Sequence, residues 1–538
     1  MAQLSENTQK LVQQYQSWHR SLQSKENVST IQVDEVASKV AAFYEKVRGI
    51  VDWKEEHLMK RAAIERKLKR RVIMAQEGKA VAESLVLELI RGGHFPNDKI
   101  PENKIDEVEK VLNKYIYILE KSNLSSSAKK RVRLYNWLLG IAACEIEEIL
   151  SASYKERALI NYMTAIMTER IKIRQKKAIS IGPQLINEEE KNRQIYIACQ
   201  RALFKLDSPI ITYHLLKKRY KDWDNLSQEQ LEQISQNIYS IWQSLENELN
   251  HPLKDKFYKI CEKYDTPYLL LGDILTEEGP DLSYQQLNNP EKLVELVKKA
   301  YYKRLSTLKK RLSRAAFYST LSILVTNSAA LFILEVPLAK LIMGTFSYTA
   351  IAVDILGPTF LMFILIATIR PPSKNNLELV IMEVMKIVYQ TNENDVYEIK
   401  ALPKKGWAMK SFILFLYVVG AAFSLSLIVF VLRWAGLPPT SYVINVMFIA
   451  LIAFAGLALR NKGEELTVED KKVGFFNFIF DILFLPIVSL GRWLSTKWKK
   501  YNAIAVFFNA LVDFPFEIFV EFLEQWRYFL KEKKEEIH

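Results

Sequence analysis

Over roughly the first 280 residues the apolar side chains recur at helical spacing, whereas beyond residue 315 they run almost without interruption. Val33, Val36, Val40, Phe43, Val47 and Ile50 are three and four residues apart in turn, the stripe of a helix that packs along another helix. The stripe weakens after Trp53 into a charged section holding Glu55, Glu56, Arg61, Glu65, Arg66, Lys69, Arg70 and Arg71. It resumes at Val81, Leu85 and Leu89, and Gly92 and Gly93 mark its stop. A single helix through all of this would reach about 90 Å at ~1.5 Å per residue, so the pattern predicts either a coiled-coil rod or a break in the charged section.

Helical spacing continues over 103–121, 128–150, 152–177, 187–207 and 228–249, the last through Leu231, Ile234, Ile238, Ile241 and Leu245. Gly, Pro and polar residues interrupt it at Phe95 to Pro101, Ser180 to Pro183, Ser208 to Pro209, His251 to Pro252 and Gly279 to Pro280. Strand signals are nearly absent, so 1–280 is expected to be a soluble all-helical domain.

The next segment, 281–314, reads as a stem. Leu293, Val297, Tyr301, Leu305, Leu308 and Leu312 keep helical spacing into Ala315 and Ala316, and neither Pro nor Gly intervenes between Glu291 and Ser328. One helix is therefore expected to run from the soluble part into the apolar part. The stem carries Lys298, Lys299, Lys303, Arg304, Lys309, Lys310, Arg311 and Arg314 with no acid among them. Such clusters stay on the cytoplasmic side and attract anionic inner-leaflet lipids.

Within 315–460, four stretches have the roughly twenty apolar residues of a membrane span: about 315–335, 350–369, 411–432 and 443–459. The connection Arg370 to Lys410 holds Arg370, Lys374, Lys400, Lys404 and Lys405, and Arg460, Lys462, Lys471 and Lys472 follow the last span. The two short opposite loops hold only Lys340 and Arg433, so both termini are expected in the cytoplasm, with the protein in the plasma or inner membrane.

The remainder, 461–538, holds a short repeat. Phe475-Phe476-Asn477 with Asp481 recurs as Phe507-Phe508-Asn509 with Asp513, and Trp493 and Trp526 close the two copies; generic amphipathic composition accounts for so short a match about as well as duplication. The basic run Arg492, Lys497, Lys499 and Lys500 resists translocation, so the first copy is expected to be a re-entrant or interfacial helix. The second sets Glu517, Glu521 and Glu524 against Phe516, Phe519 and Leu523, which suits a helix lying at the interface or on the bundle. The fold class is thus all-α: a cytoplasmic helical bundle or coiled-coil domain, a four-helix membrane domain, then C-terminal amphipathic or re-entrant helices.

Composition adds little until it is divided along the chain. The mean hydropathy of −0.04 averages a polar part with an apolar one. The net charge of +13 lies largely beside the apolar segments, which favours an anionic membrane surface over nucleic acid as its partner. Cys144, Cys199 and Cys261 stand far apart and suit a reducing compartment. The opening residues lack a basic and an apolar region of a signal peptide, so insertion is expected to begin at the first internal span.

No P-loop, dinucleotide fingerprint, HExxH or nucleophile elbow occurs, and the six His residues are scattered, so neither catalysis nor a cofactor or metal is expected. Glu145, Glu147 and Glu148 read as a solvated face and Cys144 as packing. The polar groups of interest are Asp354, four residues before Pro358, with Asn327, Glu335 and Asp481 as members of one intramembrane site. The bland alternative places Asp354 near the outer interface and lets Glu335 end a span. Two functions follow: an anchored scaffold whose bundle binds a protein partner, itself or the leaflet, and an oligomeric channel or transporter subunit gated through the stem. Only one or two ionisable groups lie inside the spans, which tips the balance to the scaffold, because polar pathways need several.

Overall fold

The apolar stripes become helices over most of the computed structural model, which describes residues 4–23, 29–34, 39–40, 56–72, 78–122, 128–174, 187–277, 287–343, 348–367, 369, 372–389, 396–400, 407–468, 475–501 and eight residues between 522 and 533. It is 85% helical, with 18 α-helices among the described residues. Most of the 33–50 stripe and the second Phe-Phe-Asn copy lie outside them.

The N-terminal helices are α1 (Glu6–Gln23), α2 (Glu56–Val72), α3 (Gly78–Arg91), α4 (Lys104–Lys121), α5 (Ala128–Leu150) and α6 (Tyr154–Arg170). The charged section is not merely a solvated rod. In α2, Ala63, Ile64 and Leu68 are fully buried against α5, while Arg61 bridges Glu65 and Asp207. The two glycines stop α3 as expected: Gly93 has φ 72°, its N–H reaches Ile90 and that of His94 reaches Leu89. This paired closure needs a left-handed residue, which glycine supplies without a Cβ clash. Next come α7 (Glu188–Phe204), α8 (Ser208–Arg219), α9 (Gln228–Leu249), α10 (Lys254–Lys263) and α11 (Asp265–Glu277). A reciprocal cap opens α9, with Ser227 and Gln230 bonding each other's backbone N–H, and Ile234, Ile238, Ile241 and Leu245 form its buried stripe.

One expectation fails at the end of α6. Helical spacing suggested continuation to 177, but the chain turns extended as β1 (Ile171–Arg174). It pairs in parallel with β2 (Tyr397–Lys400), Ile171 opposite Tyr397 and Arg174 opposite Lys400. Between the second and third apolar segments, α15 (Lys374–Tyr389) also folds onto the N-terminal helices. Val380, Val384, Ile387 and Val388 enter a core that begins at Leu4. The Ser5 N–H donates to the Val388 carbonyl at 2.9 Å and Tyr162 to that of Ile387 at 3.3 Å. Buried Arg170 is ion-paired with buried Glu383. Within the connection read as a charged loop, α15 and β2 are therefore packed into the bundle.

The stem is one helix, α12 (Pro290–Ala330), about 60 Å long at ~1.5 Å per residue. Asn289 caps its start by accepting from the Glu291 N–H at 3.0 Å. Leu293, Val297, Ala300 and Tyr301 bury in the bundle core, and Ala315 belongs to a separate apolar cluster. A π-turn over Leu331–Glu335 links α12 to α13 (Val336–Met343). The remaining helices are α14 (Tyr348–Ala367), α16 (Trp407–Trp434), α17 (Pro439–Gly463) and α18 (Phe475–Tyr501). Three helices are long and apolar enough to cross a membrane, within Pro290–Ile333, Trp407–Trp434 and Ser441–Gly463, and α14 supplies a shorter apolar stretch, Ile351–Ala367.

Glycines set the closest contacts of this region. A methyl at Gly491 of α18 would overlap the Ala450 carbonyl of α17, and one at Gly463 would come within 2.7 Å of Ile369 Cγ2. Small residues let helix backbones approach in this way. Ser424 of α16 donates to the Leu483 carbonyl of α18, three residues before Pro486, which lies inside that helix. The α18 helix thus packs along both α16 and α17.

Candidate functional site

Among the described residues, the apolar helices enclose a polar cluster. Asp354 on α14, Asn327 on α12, and Ser441 and Asn445 on α17 are all at most 4% exposed. The Asn445 amide donates to Asp354 Oδ1 at 2.6 Å and to the Ser441 carbonyl at 3.1 Å. The Asn327 amide donates to the Asp354 backbone carbonyl. Of the four residues expected to meet, Asp354 and Asn327 do. Glu335 lies in the π-turn and Asp481 in α18, both with side chains outside the described structure. Ser441 and Asn445 were missed, although polar residues four apart at the start of an apolar helix share one face and so carried a signal.

The position of this cluster follows from helix geometry. Gly463, Ile369 and Leu312 touch at the bundle end of the apolar helices. Asn327 and Asp354 each lie fifteen residues along from Leu312 and Ile369, about 22 Å at ~1.5 Å per residue.

At the bundle end, a second arrangement ties three chain segments together. Asn376 on α15 is fully buried and uses every polar atom of its amide. It donates to Tyr301 Oη of α12 at 3.1 Å and to the Leu466 carbonyl at 2.7 Å, and it accepts from the Val468 N–H at 2.8 Å. Thr266 of α11 donates to the Glu465 carbonyl at 3.2 Å, and Tyr389 of α15 to that of Leu287 at 2.5 Å. The chain therefore returns to the bundle after α14 and again after α17.

The basic stem is divided by its contacts. Arg304 is held by Asp273, with its Nη2 2.9 Å from Oδ1, and Lys303 is paired with Glu277. Lys298, Lys299, Lys309, Lys310, Arg311 and Arg314 are exposed.

Within the bundle, the acids read as a solvated face are largely enclosed. Glu145 is 2% exposed and accepts from Lys114 at 2.5 Å, Tyr115 at 2.9 Å and the Trp223 indole at 3.1 Å. Burial raises the Glu145 carboxyl and lowers the Lys114 ammonium, each against its partner's attraction. Glu147, 9% exposed, is pushed up to about 8 by burial. It lines a cavity of about 40 Å³ with Cys144, Glu148 and His214. His214 is pushed down to about 4 by burial, with its Nδ1 2.6 Å from Gln200 Oε1. Cys144 is buried as expected, and the other two cysteines, distant in sequence, meet at 3.8 Å between α7 and α10.

No family model, curated protein or solved structure matches this chain.

Proposed function

We propose that the protein is a non-catalytic membrane scaffold, anchored by two helical hairpins whose ends are gripped by a cytoplasmic bundle. The hairpins are α12 with α14 and α16 with α17, and each crosses the bilayer of the cell membrane and returns. The observation that carries this reading is Asn376, which lies in the connection between the hairpins and bonds both the helix entering the first and the segment leaving the second. Two returns to one bundle require an even number of crossings, and the basic connections favour the cytoplasm for that side. The C-terminus follows on the same side, with α18 entering between α16 and α17 as a re-entrant helix whose basic end stays at the interface. A body fixed at three points transmits position rather than swinging on a tether, which suits a platform for a protein partner or a second copy.

The test is the mass of the full chain purified in mild detergent, with whatever protein accompanies it. A monomer or dimer with a stoichiometric partner supports the scaffold, and a closed homo-oligomer without one opposes it. The Asp354 cluster favours a second reading, a channel or transporter subunit. Against a ~30 Å hydrocarbon core, Asp354 would sit in the far third, where an unpartnered charge costs less than the roughly 2.5–3.5 kcal/mol of the bilayer centre but still needs a partner. The amide of Asn445 supplies that partner. As a scaffold, Asp354→Asn should keep its abundance and partner binding; ion flux by wild-type vesicles that this variant loses would establish the channel instead.

A further inference from the structure

We propose that the middle of α12 and the bundle-side end of α17 form a binding site for the phosphate of an anionic phospholipid headgroup, an inference that rests on the membrane reading. The contact of Gly463 with Leu312 and Ile369 places the end of α17, the middle of α12 and the residues just past α14 at one level. Glycine is needed there because a Cβ would press on Ile369, so the close approach is built into the sequence. Flanking that contact are Lys309 and Arg311 on α12 and Arg460 and Lys462 on α17, all exposed, whereas Lys310 and Arg314 lie on the opposite side of α12 from Leu312. Arg460 is in a long, exposed i,i+4 ion pair with Glu464 at 3.7 Å, and the stem between residues 298 and 314 has no acid.

This separates the stem cations by task. Lys303 and Arg304 serve the bundle through Glu277 and Asp273, about two helical turns before the level of Leu312, where the apolar surface begins. The cations at Leu312 adjoin that surface: Phe317 is 64% exposed and Tyr318 46%, so acyl chains have an apolar wall directly beyond the charges. Guanidinium groups bind phosphate through paired N–H donors, and a site drawing on two helices selects a headgroup over diffuse leaflet charge. Basic residues at a membrane surface contribute about 1 kcal/mol each, equivalent to roughly fivefold in affinity per charge.

The experiment places the full chain in nanodiscs of phosphatidylcholine, with and without phosphatidylglycerol, and reads the unfolding midpoint and the lipid retained in native mass spectrometry. The wild type should insert into both, gain a saturable upward shift with phosphatidylglycerol and retain that lipid. The variant Lys309→Gln/Arg311→Gln/Arg460→Gln should lose the shift, weakening retention on the order of a hundredfold. Lys129→Gln/Arg131→Gln, on the exposed start of α5, should behave as wild type. If the triple variant folds poorly, competition between phosphatidylglycerol and phosphatidylcholine for the wild type reads the same preference. Insertion without a phosphatidylglycerol effect, or an effect that the triple variant keeps, overturns the site and leaves the membrane reading standing. An equal shift from millimolar inorganic phosphate overturns the lipid assignment. Failure to insert into either nanodisc removes both.

Discussion

Replacing Asn376 by Ala tests the clamp at its centre. The substitution removes two donated bonds and one accepted bond and leaves the Leu466 carbonyl and the Val468 N–H buried without their partner. An orphaned buried polar group costs about 1–3 kcal/mol, so the two backbone groups together cost about 2–6 kcal/mol. That is a large part of the ~5–15 kcal/mol that holds a typical domain together. The cost is expected to be met locally, by release of residues 464–468 from the bundle, because water then satisfies both groups. Hydrogen exchange at the Val468 amide reads this directly, with Asn375→Ala, an exposed neighbour, as the control. Exchange at Val468 should accelerate by about 30-fold or more in Asn376→Ala and stay unchanged in Asn375→Ala. Equal protection in both variants would refute the reasoning.

Three other outcomes follow from buried groups. Glu147 sits at about 8 in the fold against an ordinary 4.5, so it holds its proton better when folded. Stability from this group is therefore greatest below pH 4.5 and declines as pH rises to about 8, by an amount on the order of 5 kcal/mol. Glu147→Gln should flatten the unfolding midpoint between pH 5 and 8.5, part of the slope remaining because buried Asp265 is raised in the same sense; an unchanged slope contradicts this. Glu145→Ala strips Lys114 of its carboxylate while both remain enclosed, and should destabilise the bundle by about 3–5 kcal/mol in chemical unfolding, whereas a loss under ~1 kcal/mol would deny the network that role. Gly491→Val must push α18 from α17, and should abolish a disulfide engineered across that pair while the bundle keeps its helical circular dichroism.

The local part of the fold was legible. Stripes over 103–121, 128–150 and 228–249 fall on α4, α5 and α9 because each needs only its own 3.6-residue period, and the unbroken stem is the single helix α12. What escaped depends on partners distant in sequence. The strands β1 and β2 are four residues each and lie more than two hundred residues apart, so neither has enough length to show a two-residue period. In α15, Leu377, Val380, Ile381, Val384 and Val388 do have helical spacing, but the basic residues around them made the segment read as a loop. Asn376 and Glu145 look like ordinary polar surface residues in sequence, and only tertiary burial gives them their contacts. Asp354 was conspicuous because a carboxylate interrupts an apolar run, whereas the uncharged Ser441 and Asn445 did not stand out.

The most direct measurement is the side of the membrane on which the hairpin ends lie. Lys340→Cys and Trp434→Cys place exposed thiols at the ends remote from the bundle, and Lys298→Cys and Lys462→Cys place them at the bundle end. The native cysteines are buried and give little background. A membrane-impermeant maleimide applied to intact cells should label residues 340 and 434, and reach 298 and 462 only after permeabilisation. Labelling of all four positions in intact cells, or of none until the membrane is opened, would contradict two hairpins that cross the bilayer and return to a cytoplasmic bundle.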